Sequence, residues 1–234
     1  MPSARISLVV ATGNRGKLAE IRAILRDLPV DVLSAEEALG EVPHVVEDAE
    51  TFEANALKKA RAIAAEALMV TIADDSGLEV DALGGRPGVR SARYAKEGAT
   101  DAENNAQLMS ALEDVDDPNR TARFRCAIAL VDPWDVDGER VATGVCEGAI
   151  AHRPSGSGGF GYDPLFIVAG DGRTMAELGE EEKNRASHRG RALQALRPHL
   201  ERLVHARFAE AARILGDAPL ATPSRPGEEP QDGP

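Results

Sequence analysis

An apolar, strand-like run from Ile6 to Ala11 breaks at the turn-like Thr12 to Gly16. Helical spacing follows from about Lys17 to Leu28, with Leu18, Ile21, Leu25 and Leu28 on one face. A strand feeding a helix in this way is a building unit of α/β sheets. The alternation continues with a short strand at Val30 to Leu33 and a helix from Thr51 to Leu68. That helix carries Phe52, Ala56, Ala60, Ile63 and Ala67 at helical spacing. A buried strand, Val70 to Ala73, then ends directly at Asp74 and Asp75.

Beyond a loop at Gly84 to Gly88, Thr100 and Glu103 form a capping box for a helix ending near Leu112. From Arg123 to Asp132 the pattern alternates, with Phe124, Cys126, Ile128 and Leu130 on one face. The loop Pro133 to Gly138 leads to Arg140 to Ile150, which predicts an antiparallel hairpin. A strand near Leu165 to Val168 precedes a last helix with Leu193, Leu196, Leu200 and Leu203, kinked at Pro198 and continuing to Leu215. Early helix–strand alternation followed by a hairpin predicts α/β class with a mixed sheet. From Gly216 onward five prolines punctuate a polar tail with little to bury, so 1–215 is expected to be the domain and 216–234 disordered.

The 234 residues are 43% apolar but only 3% aromatic, so the core must rest on Ala, Val, Leu and Ile. No apolar run approaches the ~20 residues that span a bilayer, and the N-terminus carries no secretory pattern. Cys126 and Cys146 fit buried small hydrophobes in a reducing compartment, which predicts a cytoplasmic protein without membrane attachment. A net charge of −12 argues against nucleic acid as a partner. Any anionic ligand must meet locally placed positive charge or a metal.

Four segments have chemical potential. Thr12-Gly13-Asn14-Arg15-Gly16-Lys17 puts glycines, free helix amides and a lysine where a phosphate could sit. It is not a Walker A loop: two residues separate the glycines and Leu18 follows the lysine. The alternative is an ordinary strand-to-helix turn with a surface lysine. Asp74-Asp75-Ser76-Gly77 places carboxylates and a hydroxyl after a buried strand, where open α/β sheets bind ligands. Neighbours on an extended strand point to opposite faces, so one Asp is expected in the site and the other in a structural part. Glu47 and Asp48 offer further oxygen ligands. Ser155 to Pro164 brackets Phe160 and Tyr162 with glycines, where an aromatic could stack on a base or simply anchor a loop. Lys183 to Arg191 is the densest basic cluster, otherwise a solvated helix start.

Taken in order, ATGNRGKLAEI, TFEANALKKA, IADDSGLEVDALGGRPGVRSARY, GSGGFGYDPLF and EEKNRASHRGRAL resemble the non-canonical purine nucleoside triphosphate pyrophosphatase family, the inosine/xanthosine triphosphatases. The likeness spans about residues 6 to 203. It implies an elongated mixed sheet with flanking helices, two lobes about a deep cleft, and a homodimer. It also implies Mg²⁺-dependent hydrolysis of ITP, dITP and XTP to the monophosphate and pyrophosphate. By the same resemblance Asp75 is the proton acceptor and a metal ligand, and Glu47 the other metal ligand. Thr12, Gly13, Asn14, Arg15, Gly16 and Lys17 contact the triphosphate. Ser76, Phe160, Gly161, Tyr162, Asp163, Lys183, His188 and Arg189 bind substrate, chiefly around the base.

Elementary chemistry agrees. A carboxylate can take a proton from an attacking water, and Lys17 can stabilise the departing pyrophosphate. Arg189 has only donors, which suits a 6-oxo purine and disfavours adenine. Two other readings are a pyrophosphatase of another modified nucleotide and a catalytically inactive nucleotide sensor.

Overall fold

The computed structural model describes residues 5–135 and 138–217; the expected disordered tail falls outside them except for its first two residues. In chain order the elements are β1 (Ile6–Val10), α1 (Arg15–Ile24), β2 (Val30–Ser34), α2 (Ala35–Leu39), α3 (Phe52–Ala67), β3 (Thr71–Val80), α4 (Asp101–Ala111), β4 (Thr121–Val131), β5 (Arg140–Ile150), β6 (Phe166–Val168), α5 (Glu180–Ala186) and α6 (His188–Asp217). One mixed sheet orders them β2-β1-β3-β4-β5-β6. The first three strands are parallel, as helical crossovers require. From β3 to β6 every pairing is antiparallel, and β4 and β5 form the expected hairpin.

Alternation along the strands separates two cores. Leu8, Val10, Ile72, Ile128 and Leu130 face α1 and α6. Val9, Ala11, Ala73, Ala127 and Ala129 face α3. The helix presents Ala56, Ala60 and Ala64 to that side, and small residues on both partners let it lie close to the sheet. A third core lies toward the far ends of the long strands. There Leu78, Val80, Phe124, Cys146, Ile150 and Phe166 meet Leu108 of α4 and Leu112 at its C-terminal cap. These cores divide the molecule into two lobes that share β3, β4 and β5.

The expected strand end at Asp74 is corrected. β3 runs ten residues to Val80, and Asp74 and Asp75 lie within it. Asp-Asp-Ser-Gly resembles a turn, but pairing with β4 continues as far as Val80↔Ala122. What ends early is β1, which pairs with β3 only at Thr71 and Ile72. The edge of β3 beyond that point is therefore open toward the departing β1 chain. Two smaller differences accompany it. α1 ends at Ile24 rather than Leu28. α2 forms behind a Ser34–Glu37 capping box. α6 continues through Pro198 as the pattern predicts, with the proline on its exposed side, where solvent can serve the carbonyl left without a donor.

Candidate active site

A cavity of about 520 Å³ occupies the opening between the lobes, beyond the end of β1. The crevice outside a strand's carboxyl end, where neighbouring chains diverge, is the usual ligand position in an open α/β sheet. Its walls include Thr12, Gly13, Asn14, Lys17, Glu47, Asp75, Ser76, Phe160, Gly161, Tyr162, Asp163, Lys183, His188 and Arg189. Of the expected site residues, only Arg15 and Gly16 lie outside this lining.

One wall of the cavity is built by the turn into α1. Thr12 Oγ1 accepts from the Asn14 amide, and Asn14 caps the helix by accepting from the Lys17 amide, both at 3.1 Å. Gly16 has a packing reason: a Cβ there would lie 2.6 Å from the Phe160 ring, so the two loops abut. Lys17 reaches from α1 to Asp74, with which it pairs directly.

The adjacent aspartates diverge as strand geometry requires. Asp74 is fully buried and accepts from Arg189 Nε at 3.1 Å, Cys126 Sγ at 2.9 Å and Ser76 Oγ at 3.3 Å. Burial alone would raise its pKa, but Arg189 and Lys17 hold it well below the usual carboxylate range. Asp75 has the reverse balance. Burial, aided by Glu47 and Asp74, pushes it up to about 6 against the pull of Lys59 and Lys17. Its Oδ1 accepts from the Ser76 amide, while its buried Oδ2 has no protein partner.

Lys59, which sequence reasoning did not single out, organises this corner. Its ammonium donates to Glu47 Oε2 at 3.0 Å and to the Asp74 carbonyl at 2.7 Å, and lies 3.8 Å from Asp75 Oδ1. It serves the open edge of β3 and holds two carboxylates near one another. Ser91 serves that edge further along, its Oγ accepting from the Leu78 amide at 2.8 Å. A signal existed in the sequence. Lys59 lies three residues after Ala56 and four after Asn55, which puts a charge beside the buried stripe of α3. Asn55, 1% exposed, brackets both backbone groups of Ala49 and so steadies the segment carrying Glu47.

Glu47 and Asp75 could hold a divalent ion. Among the described residues no group of three or more His, Cys, Asp or Glu side chains is placed to hold a metal. Two carboxylates with open positions nevertheless suit Mg²⁺, which keeps waters and takes phosphate oxygens. The unpartnered Asp75 Oδ2 is the atom that such an ion would satisfy.

The wall that adjoins the α1 turn is cationic and aromatic. Lys183 Nζ and the Arg189 guanidinium lie 4.9 and 5.6 Å from the Phe160 ring centre. Lys183 pairs with Asp163 Oδ2 at 2.7 Å and Glu20 Oε1 at 2.6 Å. Burial opposes its charge, but these two carboxylates keep it protonated, with its pKa raised. The basic cluster is thus not a solvated helix start: Lys183, His188 and Arg189 are all buried. Arg189 is only 1% exposed and spends four N–H contacts on Asp74, Glu20 and Ser76, leaving few of its five donors for a ligand. Glu20, another residue the sequence did not flag, ties α1 to both cations. His188 stacks on Phe124 at 4.7 Å, and burial followed by Arg189 holds its pKa well below normal, leaving the ring neutral. Gly144 lets the α6 backbone lie against β5, since a Cβ there would meet the His188 carbonyl at 2.1 Å. Tyr162 is core rather than cavity wall for most of its length, with its hydroxyl donating to the Ser91 carbonyl at 2.8 Å.

The model of the Ham1 family matches residues 8–199. A dITP/XTP pyrophosphatase of Geobacter sulfurreducens is 56% identical over 194 residues, covering 82% of this chain and 96% of that protein. The dITP/XTP pyrophosphatase of Streptomyces coelicolor is 47% identical, with 84% and 98% covered. Among solved structures, a HAM1 protein from Coxiella burnetii superposes with a TM-score of 0.75 at 44% identity, covering 84% of this chain and 99% of its own.

Proposed function

This chain belongs to the Ham1 family, and from that premise we propose that it hydrolyses the non-standard purine nucleoside triphosphates dITP, XTP and ITP to the monophosphate and pyrophosphate, with Mg²⁺. The observation that carries this reading is Asp75. It is a buried carboxylate with one unpartnered oxygen, in the same cavity as the α1 phosphate turn and Glu47.

The triphosphate lies along the Thr12–Lys17 turn, whose free amides and lysine ammonium bind anionic oxygens. Glu47 and Asp75 hold Mg²⁺, which when bound offsets phosphate charge that this acidic site cannot neutralise alone. Four cations, Lys17, Lys59, Lys183 and Arg189, meet five carboxylates, Glu20, Glu47, Asp74, Asp75 and Asp163, so the protein itself supplies no positive surplus. Asp75 accepts the proton of the attacking water. Lys17, anchored on Asp74, stabilises the leaving pyrophosphate.

The base lies against Phe160, with Lys183 and the remaining Arg189 donor capacity facing its 6-oxo edge. A 6-amino group would bring donors to donors, which disfavours ATP. The family resemblance supports a homodimer in the cytoplasm. No described helix is long and apolar enough to cross a membrane.

Pyrophosphate and orthophosphate release from dITP, XTP, ITP, ATP and GTP, with Mg²⁺ or EDTA, tests the proposal. The expected result is Mg²⁺-dependent pyrophosphate from the first three and little from ATP or GTP. Orthophosphate as the direct product, or undiminished turnover in EDTA, would overturn it.

A further inference from the structure

Gly161 joins Phe160 to the buried Tyr162, and α4 side chains take both of its backbone polar groups. Its N–H donates to Asp101 Oδ2 at 2.6 Å, and its carbonyl accepts from Asn105 Nδ2 at 2.9 Å. Asp101 and Asn105 are four residues apart on α4 and so share one helix face. Gly161 has a φ of +62° inside the turn that the Asp163 N–H closes on the Phe160 carbonyl at 3.2 Å, and no atom lies within 4 Å of where a Cβ would stand. The turn sets the local backbone, and among the described residues the two bonds from α4 are the side-chain contacts that fix where Gly161 stands.

The link lies on the side of the third core, where Tyr162 and Leu165 pack with Leu108 of α4, and Phe160 extends from it to Lys183 of α5 and Arg189 of α6. Tyr162 adds a second tie on that side through the Ser91 carbonyl. The far side of the Asn105 amide is costly: Oδ1 is buried without a protein partner. A side chain chosen only for stability would not leave an acceptor orphaned there.

We propose that Asp101 and Asn105 are positioning residues for base recognition, clamping Gly161 so that the Phe160 ring stands where the purine must stack. Neither touches the reacting phosphates. This rests on the reading of Phe160 as the base-stacking wall, and the test separates the two.

Steady-state kinetics with dITP are measured for Asn105→Leu, Asp101→Ala, Asp101→Asn and Phe160→Ala, and for Asn105→Leu combined with Phe160→Ala. Asn105→Leu keeps the volume and removes the orphaned acceptor, which offsets the loss of the bond to the Gly161 carbonyl, so its melting temperature should stay within a few degrees. Its KM should nonetheless increase about tenfold, the worth of one hydrogen bond, with kcat within about twofold. Asp101→Ala should behave alike, and Asp101→Asn, which retains an oxygen acceptor for the Gly161 N–H, should recover most of the affinity. On the Phe160→Ala background Asn105→Leu should add less than about twofold, because the ring it positions is gone. A KM unchanged in Asn105→Leu and Asp101→Ala, or effects that multiply in full on Phe160→Ala, overturn the clamp alone. A KM unchanged in Phe160→Ala itself overturns the base-stacking reading and the clamp with it.

Discussion

Asp74 and Asp75 are chain neighbours with the same side chain, yet they should respond oppositely to the same substitution. Asp74 balances two buried or half-buried cations, Lys17 and Arg189. Asp74→Asn leaves that positive charge uncompensated and should destabilise the fold by about 3–5 kcal/mol in urea unfolding. Asp75 is held against its own ionisation by burial, and its Oδ2 has no protein partner to lose. Asp75→Asn should change stability by less than about 1 kcal/mol. It should lower kcat by about 10²–10⁴-fold, the worth of a positioned general base. Equal losses of stability in the two variants would contradict this division. The same contacts complicate Arg189→Ala as a test of base selectivity, because it strips partners from Asp74 and Glu20 together. Phe160 is the cleaner probe.

At the scale of elements, the closeness of α3 to the sheet governs where Lys59 and Glu47 stand. That closeness depends on alanines on both partners, Ala56, Ala60 and Ala64 against Ala73, Ala127 and Ala129. Ala127→Leu should cost about 1–3 kcal/mol by overpacking, read as a lower urea midpoint. It should also lower turnover, because α3 carries Lys59. Unchanged stability would mean the interface has slack that the burial of these residues does not suggest. Most elements were legible from periodicity: the strand after each helix, the β4–β5 hairpin and the α4 capping box all form where the pattern places them. The extent of β3 was not. Asp-Asp-Ser-Gly has turn composition, and only pairing with β4 over ten residues makes it strand.

At the scale of the whole molecule, every placed site residue lies at or before Arg189, and among the described residues the buried core continues to Val204. Removal of residues 218–234 should therefore leave kcat, KM and melting temperature unchanged. A loss of activity in the truncated protein would assign the tail a role that the Ham1 match, ending at residue 199, does not cover. The cleft itself is a whole-molecule property. It exists because β1 stops at Val10 while β3 continues, and because a separate core gathers at the far ends of β3, β4 and β5.

The sequence by itself determined the fold class, the family and the residue types that line the cavity, because periodicity and ordered motifs are local and survive in one dimension. Tertiary structure alone decided which aspartate is free and which is locked, that Lys59 and Glu20 belong to the site, and that Arg189 is committed to its own protein. The physical reason lies in distance along the chain and in loss of water. Arg189 and Asp74 are 115 residues apart, and their pairing depends on a dry contact that no local pattern encodes.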